Sequence, residues 1–111
     1  MKIKRFTESN QFNYEVESFI TTISLSDDWS GIYLGNELLS EGHSLRLDEI
    51  LKSLIRRRIN LADYSYKHLT LHKDNDYVDW LDEDICPSSC PETLTEYINL
   101  CTDNNYDVRF E

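Results

Sequence analysis

Residues 63–81 read DYSYKHLTLHKDNDYVDWL. Up to His72 the side chains alternate, with Tyr64, Tyr66, His68, Thr70 and His72 on one side and Ser65, Lys67, Leu69 and Leu71 on the other. That period of two predicts a strand over 63–72. Lys73-Asp74-Asn75-Asp76 is turn chemistry, because Asn and Asp tolerate the left-handed backbone and bond to their own main chain. Residues 77–81 fit two readings. As a strand they complete a hairpin and place Val78, Trp80 and Asp82 on one face. As a helix capped by Asp76 they gather Val78, Leu81 and Ile85. We favour the strand, which puts a hairpin between two helical patterns and so predicts a mixed α+β fold.

Upstream, Leu47, Ile50, Leu51, Leu54 and Ile55 follow the spacing of one apolar helix face, with Ser44 as candidate cap. Asp48 and Glu49 near its start and Arg56-Arg57-Arg58 at its end suit the helix dipole. Trp29 to Leu34 predicts a strand, turned by Gly35-Asn36 into a partner over 37–40. Ser26-Asp27-Asp28 is a turn. Phe12, Val16, Phe19, Ile20 and Ile23 predict a helix running to about Leu25, capped by Thr7 or Ser9, behind a short first strand over residues 3–6. Downstream, Cys86-Pro87-Ser88-Ser89-Cys90 is a loop. A last helix follows, with Pro91 at its first position and Leu94, Tyr97, Ile98 and Cys101 on its buried face. Asp103-Asn104-Asn105 ends it, and residues 106–110 form a closing strand. The expectation is one α+β domain over residues 1–111, with a mixed or antiparallel sheet and about three helices.

The chain can pack a core, since 30 of its 111 residues are Leu, Ile, Val or Phe, above the roughly 20% at which charged chains stay disordered. Its formal charge of −10 is unevenly placed. Residues 1–73 hold ten acids and ten bases, Arg109 cancels Glu111, and ten acids with no base occupy residues 74–108. The densest part is Asp74 to Asp84, where Asp74, Asp76, Asp79, Asp82, Glu83 and Asp84 surround Tyr77 and Trp80. Such a surface repels phosphate backbones and anionic headgroups, which argues against direct nucleic-acid or membrane binding. No apolar run reaches signal-peptide or membrane-span length, and three cysteines suit a reducing compartment, so the expected location is cytoplasmic.

The acidic stretch has a bland reading, a solvated hairpin edge whose charges discourage aggregation. The functional reading is a docking face: crowded carboxylates repel one another, a cationic partner relieves that repulsion, and Tyr77 and Trp80 offer anchors. Calcium does not fit, because a loop starting at Asp74 puts Asp79 and Ile85 where an EF-hand needs Gly and Glu. His68 and His72 lack the intervening glutamate and a third ligand of a zinc site. Cys86-x-x-x-Cys90 is one residue too long for the usual redox pair, and Cys101 does not complete a metal set. Arg56-Arg57-Arg58 is too small a basic footprint for nucleic acid. With only Gly31, Gly35 and Gly42, there is no phosphate-cradling loop. No catalytic group and no cofactor is expected.

In character, the acid and aromatic interleaving of Asp74 to Asp84 resembles the small immunity proteins that bacteria carry beside nuclease toxins. Those proteins share a role rather than one fold. The resemblance implies stoichiometric inhibition of a basic partner, a cognate nuclease toxin, by plugging its active site or covering its nucleic-acid groove. Asp74, Asp76, Tyr77, Asp79, Trp80, Asp82, Glu83 and Asp84 are the expected partner-binding residues. The alternatives are a phage-type DNA mimic that binds many DNA-handling proteins, a small enzyme with a pocket away from the acids, and an oligomeric subunit that buries its Trp and Tyr residues.

Overall fold

Strand β4, Ser65–Lys73, is the hub of the computed structural model, which describes residues 16–111. Its first half pairs parallel with β1 (Phe19–Ser24), bringing Thr22 opposite His68. Its second half lies between β5 (Asp76–Val78) and β6 (Asp107–Phe110), both antiparallel to it. On the far side of β1 the meander continues through β2 (Ser30–Leu34) and β3 (Glu37–Gly42). The six strands form one mixed sheet in the order β3-β2-β1-β4-β5, with β6 on β4. Two α-helices, α1 (Leu47–Arg56) and α2 (Leu94–Asp103), complete the described fold. It is α+β as expected, with two α-helices among the described residues rather than three.

The turns form where the sequence places them. Asp74 and Asn75, at φ 55° and 69°, make the two-residue β4–β5 loop that such dipeptides favour in a twisted hairpin. Asp27 and Asp28 both take left-handed backbone between β1 and β2, a conformation short polar side chains tolerate. At the β2–β3 turn Gly35 has φ 59°, and an added Cβ would meet the Glu17 carboxylate at 2.8 Å. Glycine takes that backbone conformation at no steric cost, and a side chain there would have to displace the Glu17 carboxylate.

Alternation along β1 and β2 sends side chains to two different cores. Ile20, Ile32 and Leu34 face Ile50 and Leu54 of α1. Ile23, Leu25 and Tyr33 face the main core, with Leu69 and Leu71 of β4, Val108 of β6 and Leu94, Tyr97, Ile98 and Cys101 of α2. Replacing a side chain as buried as Leu94 by Ala would cost about 2–5 kcal/mol. Thr93 caps α2: its hydroxyl accepts from the Glu96 N–H at 3.2 Å and donates to the Glu96 carboxylate at 3.0 Å.

Five expectations need correction. The helix does not run to Leu25: Val16 is helical, a turn follows, and Phe19–Ser24 is β1, because its run Thr21-Thr22-Ile23 is β-branched and sheet pairing on both edges outweighs the helical spacing. The earlier part of that helix, its caps Thr7 and Ser9, and the first strand lie outside the described residues. Helix α1 starts at Leu47 after Arg46, which makes no side-chain cap bond, so Ser44 does not cap it. Of its apolar residues only Ile50 and Leu54 are buried. Helix α2 begins at Leu94 behind Thr93, so Pro91 precedes it. Strand β5 ends at Val78, and the chain bends so that Leu81, not Trp80, enters the core.

Candidate functional site

Because β1 and β4 run parallel, their C-terminal ends meet at one end of the sheet, where β5 and β6 begin. The turn after β1 brings Asp27 and Asp28 there, and the β4–β5 loop brings Asp74. Asp76, Tyr77 and Asp79 follow. Leu81 is fully buried and pins the next turn, so Asp82, Glu83 and Asp84 stay outside. The Asp82 N–H donates to the Tyr106 hydroxyl at 3.3 Å, just before Asp107 opens β6. The Cys86 sulfur accepts from the Ser26 hydroxyl at 3.4 Å, which ties the far end of this loop to the β1–β2 turn. All six expected acids are exposed, on the loop and strand that the hairpin and these hydrogen bonds hold beside this end of the sheet.

Among the described residues, none of those six makes an ion pair; the bridges are Arg46–Asp48, Arg57–Glu37, Arg109–Asp107 and His72–Glu111. Lys73, the nearest base in sequence, lies with its ammonium 4.6 Å from the centre of the Tyr106 ring. Among the described residues no bridge joins Arg56, Arg57 or Arg58 to them, and Arg57 holds Glu37 at 2.9 Å at the start of β3.

Tyr77, Asp79 and Trp80 form one wall of a cleft of about 450 Å³ whose other wall is Asp28, Trp29 and His43, with Ser24, Leu25 and Ser30 between. Tyr77 and Trp80 are 58% and 44% exposed, so each presents a ring to an incoming molecule. Trp29 is held in place by two partners. Its indole stacks edge-on with His43 at 4.9 Å between centroids, and its N–H donates to Glu41 Oε1 at 2.9 Å. The same oxygen accepts the Cys90 N–H at 2.7 Å. Burial would raise the Glu41 carboxyl, but these hydrogen bonds to its charged form outweigh it and hold it below its ordinary value. Partial burial and then the Asp79 carboxylate push the Tyr77 phenol up, so it stays a neutral donor.

The cleft combines ring faces with the carboxylates of Asp28 and Asp79. Aromatic faces attract cations through their quadrupole, and a carboxylate beside them adds a charge-assisted hydrogen bond. A guanidinium or ammonium group fits this chemistry. Asp27, Asp28, Trp29 and His43 were not expected at the site. Their turn and strand were foreseen, but nothing local shows that they face residues more than thirty positions away.

The remaining candidates lie elsewhere. Glu92, just before α2, and Glu96, in its first turn, lie at the opposite end of the sheet: Leu38 N–H donates to Glu92 O and Leu94 N–H to Asn36 O. His68 and His72 sit on β4, where Thr22 and Thr70 bond their rings. Among the described residues no group of three His, Cys, Asp or Glu side chains is placed to hold a metal ion. Burial first, and then the Glu41 charge, push the Cys90 thiol up to about 12; burial raises Cys101 to about 12 as well. Neither is a thiolate at neutral pH. No helix among the described residues is long and apolar enough to cross a membrane. Comparison with protein-family models, curated proteins and solved structures finds no match.

Proposed function

We propose that the chain is an inhibitor of a basic protein, an immunity protein whose partner is a nuclease toxin, and that it acts in the cytoplasm. The observation that carries this reading is the end of the sheet where six exposed carboxylates lack ion-pair partners among the described residues and adjoin a cleft of two Trp, a Tyr and a His. Unrelieved self-repulsion destabilises a folded chain, and a basic surface removes that penalty on docking. Long-range attraction speeds encounter, while the rings supply a contact that excludes water. Nuclease surfaces carry Lys and Arg to grip phosphates, so this end competes for the groups that hold nucleic acid.

Asp74, Asp76, Asp79, Asp82, Glu83 and Asp84 meet the partner's cations, and Tyr77 and Trp80 are the anchors. Trp29 and His43 form the back wall. The reading requires no catalytic residue in this chain and no cofactor. Its test is a titration of nuclease activity, using the basic nuclease that copurifies with the chain from its source organism. Activity should fall to zero at one equivalent of the chain. Trp80→Ala should need a large excess, because a hot-spot truncation costs about 2 kcal/mol or more. Full nuclease activity at saturating wild-type chain rejects the proposal. Inhibition of many unrelated DNA-handling proteins would favour the DNA-mimic alternative.

A further inference from the structure

The walls of the cleft at the acidic end are fixed by the chain itself. Trp29 is held by the Glu41 carboxylate, which accepts its N–H at 2.9 Å, and by His43, edge-on at 4.9 Å. Across the cleft, Tyr77 is braced by the buried ring of His72, edge-on at 5.7 Å between centroids. Rings fixed from behind in this way need little ordering when a ligand arrives. Trp80, on the same wall as Tyr77, leaves its ring half-exposed. Each wall also brings a carboxylate, Asp28 beside Trp29 and Asp79 beside Trp80. Neither has an ion-pair partner among the described residues, and no Lys or Arg lines the cleft.

We propose that this cleft receives one arginine side chain of a protein partner, its guanidinium lying between the rings and donating to Asp28 and Asp79. The inference rests on the docking proposal above and names the group that the aromatic part of that surface takes. Other chemistries leave something unmet. An apolar or aromatic side chain would cover two carboxylates without offering them a hydrogen bond. A quaternary ammonium suits the rings but has no N–H for the carboxylates. A lysine ammonium is a compact, strongly hydrated point charge with no flat face to lay on a ring. A guanidinium is planar and weakly hydrated, stacks on aromatic faces, and spreads five N–H donors over a fork that can reach two carboxylates. Because the bonds would be charge-assisted and the site has no cation of its own, both carboxylates contribute to holding the arginine.

Trp29 and Trp80 are the chain's two tryptophans and both line this cleft, so tryptophan emission reports on it directly. The test is a titration of the full chain with arginine blocked at both ends, as its N-acetyl N-methylamide, at constant ionic strength and about pH 8, above the ordinary imidazole range. Emission should change saturably with a dissociation constant on the order of 1–10 mM, as suits one side chain without the rest of an interface. The matching lysine derivative should bind about tenfold more weakly. Asp28→Asn keeps a residue that tolerates the left-handed backbone there (φ 59°) and removes only the charge. It should weaken arginine binding about tenfold, and Asp79→Asn should do the same. Glu92→Gln, at the other end of the sheet, should change nothing. Equal binding of lysine and arginine, titrations of both Asp variants identical to the wild type, or no saturable change up to about 100 mM overturns the proposal. Free arginine binding more than about tenfold tighter than the blocked form overturns the assignment to a protein side chain. Arginine binding by a chain that leaves the nuclease active overturns the inhibitor reading alone, whereas nuclease inhibition without arginine binding overturns this subsite alone.

Discussion

At one end of the sheet Glu37 holds Arg57 across 2.9 Å, and Glu17, Glu92 and Tyr64 line the same cleft, of about 590 Å³. At the other end the carboxylates of residues 74–84 have no cation bonded to them among the described residues, and the cleft of about 450 Å³ is walled by Trp29, His43, Tyr77 and Trp80. The first cleft is the larger, yet it contains its own counter-ion. The second combines carboxylates that have no ion-pair partner among the described residues with exposed rings. Cleft size alone therefore does not distinguish the end proposed to bind. What differs is how much electrostatic work is left for another molecule to do.

The contrast is tested most strongly by neutralising matched pairs of acids at the two ends. Asp79→Asn with Asp82→Asn should weaken partner binding by roughly a hundredfold, since close charge pairs at such interfaces couple by about 1.5–7 kcal/mol. Glu92→Gln with Glu96→Gln should leave the dissociation constant within about twofold, as expected of charges outside an interface. Equal effects from both pairs, measured by calorimetric titration, would erase the distinction between the ends.

Next in size is Glu41, the brace behind the aromatic wall. Glu41→Ala strands the Trp29 and Cys90 N–H groups and should lower unfolding free energy in urea by about 2 kcal/mol. Its pH dependence has a definite sign. The folded Glu41 carboxyl lies below its ordinary value of 4.5, so its stabilisation is fully present above that pH. It is lost as pH falls through the lower folded value. Glu41→Gln should remove that part of the acid-induced loss; an acid limb identical to the wild type would show that Glu41 is not the group responsible.

Much of the frame was legible in the residues themselves. Alternation from Tyr64 to His72 is the signature of β4, the Asp74-Asn75 pair marks its hairpin, and the spacing of Leu94, Tyr97, Ile98 and Cys101 gives the buried face of α2. The acids and rings of residues 74–84 were identifiable because they are contiguous. The misreadings have two physical sources. Phe19, Ile20 and Ile23 satisfy a helical spacing and a strand equally well, and only pairing with β2 and β4 decides between them. Periodicity also cannot say which apolar residues of an amphipathic helix find a neighbour: Ile50 and Leu54 do, whereas Leu47, Leu51 and Ile55 do not. Trp29 and His43 reach the cleft through the β2–β3 hairpin, so their role is a product of topology.

Smaller effects sharpen the comparison within the scaffold common to both ends. Thr21 is fully buried in β1, and its hydroxyl has no hydrogen-bond partner among the described residues. Thr21→Val should raise the unfolding free energy by about 1 kcal/mol, read from the urea midpoint, while partner binding stays the same. A loss of stability would reveal a partner for that hydroxyl. At the neutralised end, Arg57→Ala breaks a bridge whose side chains are 38% and 63% exposed, so thermal unfolding should register no more than about 0.5 kcal/mol. A loss several times larger would make that end a structural clasp.

The most direct test of the proposed docking end is the association rate constant with the proposed partner, a basic nuclease, measured by stopped flow from low to high ionic strength. If unmatched carboxylates steer the encounter, the rate should drop by one to two orders of magnitude between about 20 mM and about 500 mM salt, with dissociation much less affected. A rate constant that does not change across that range would contradict the account.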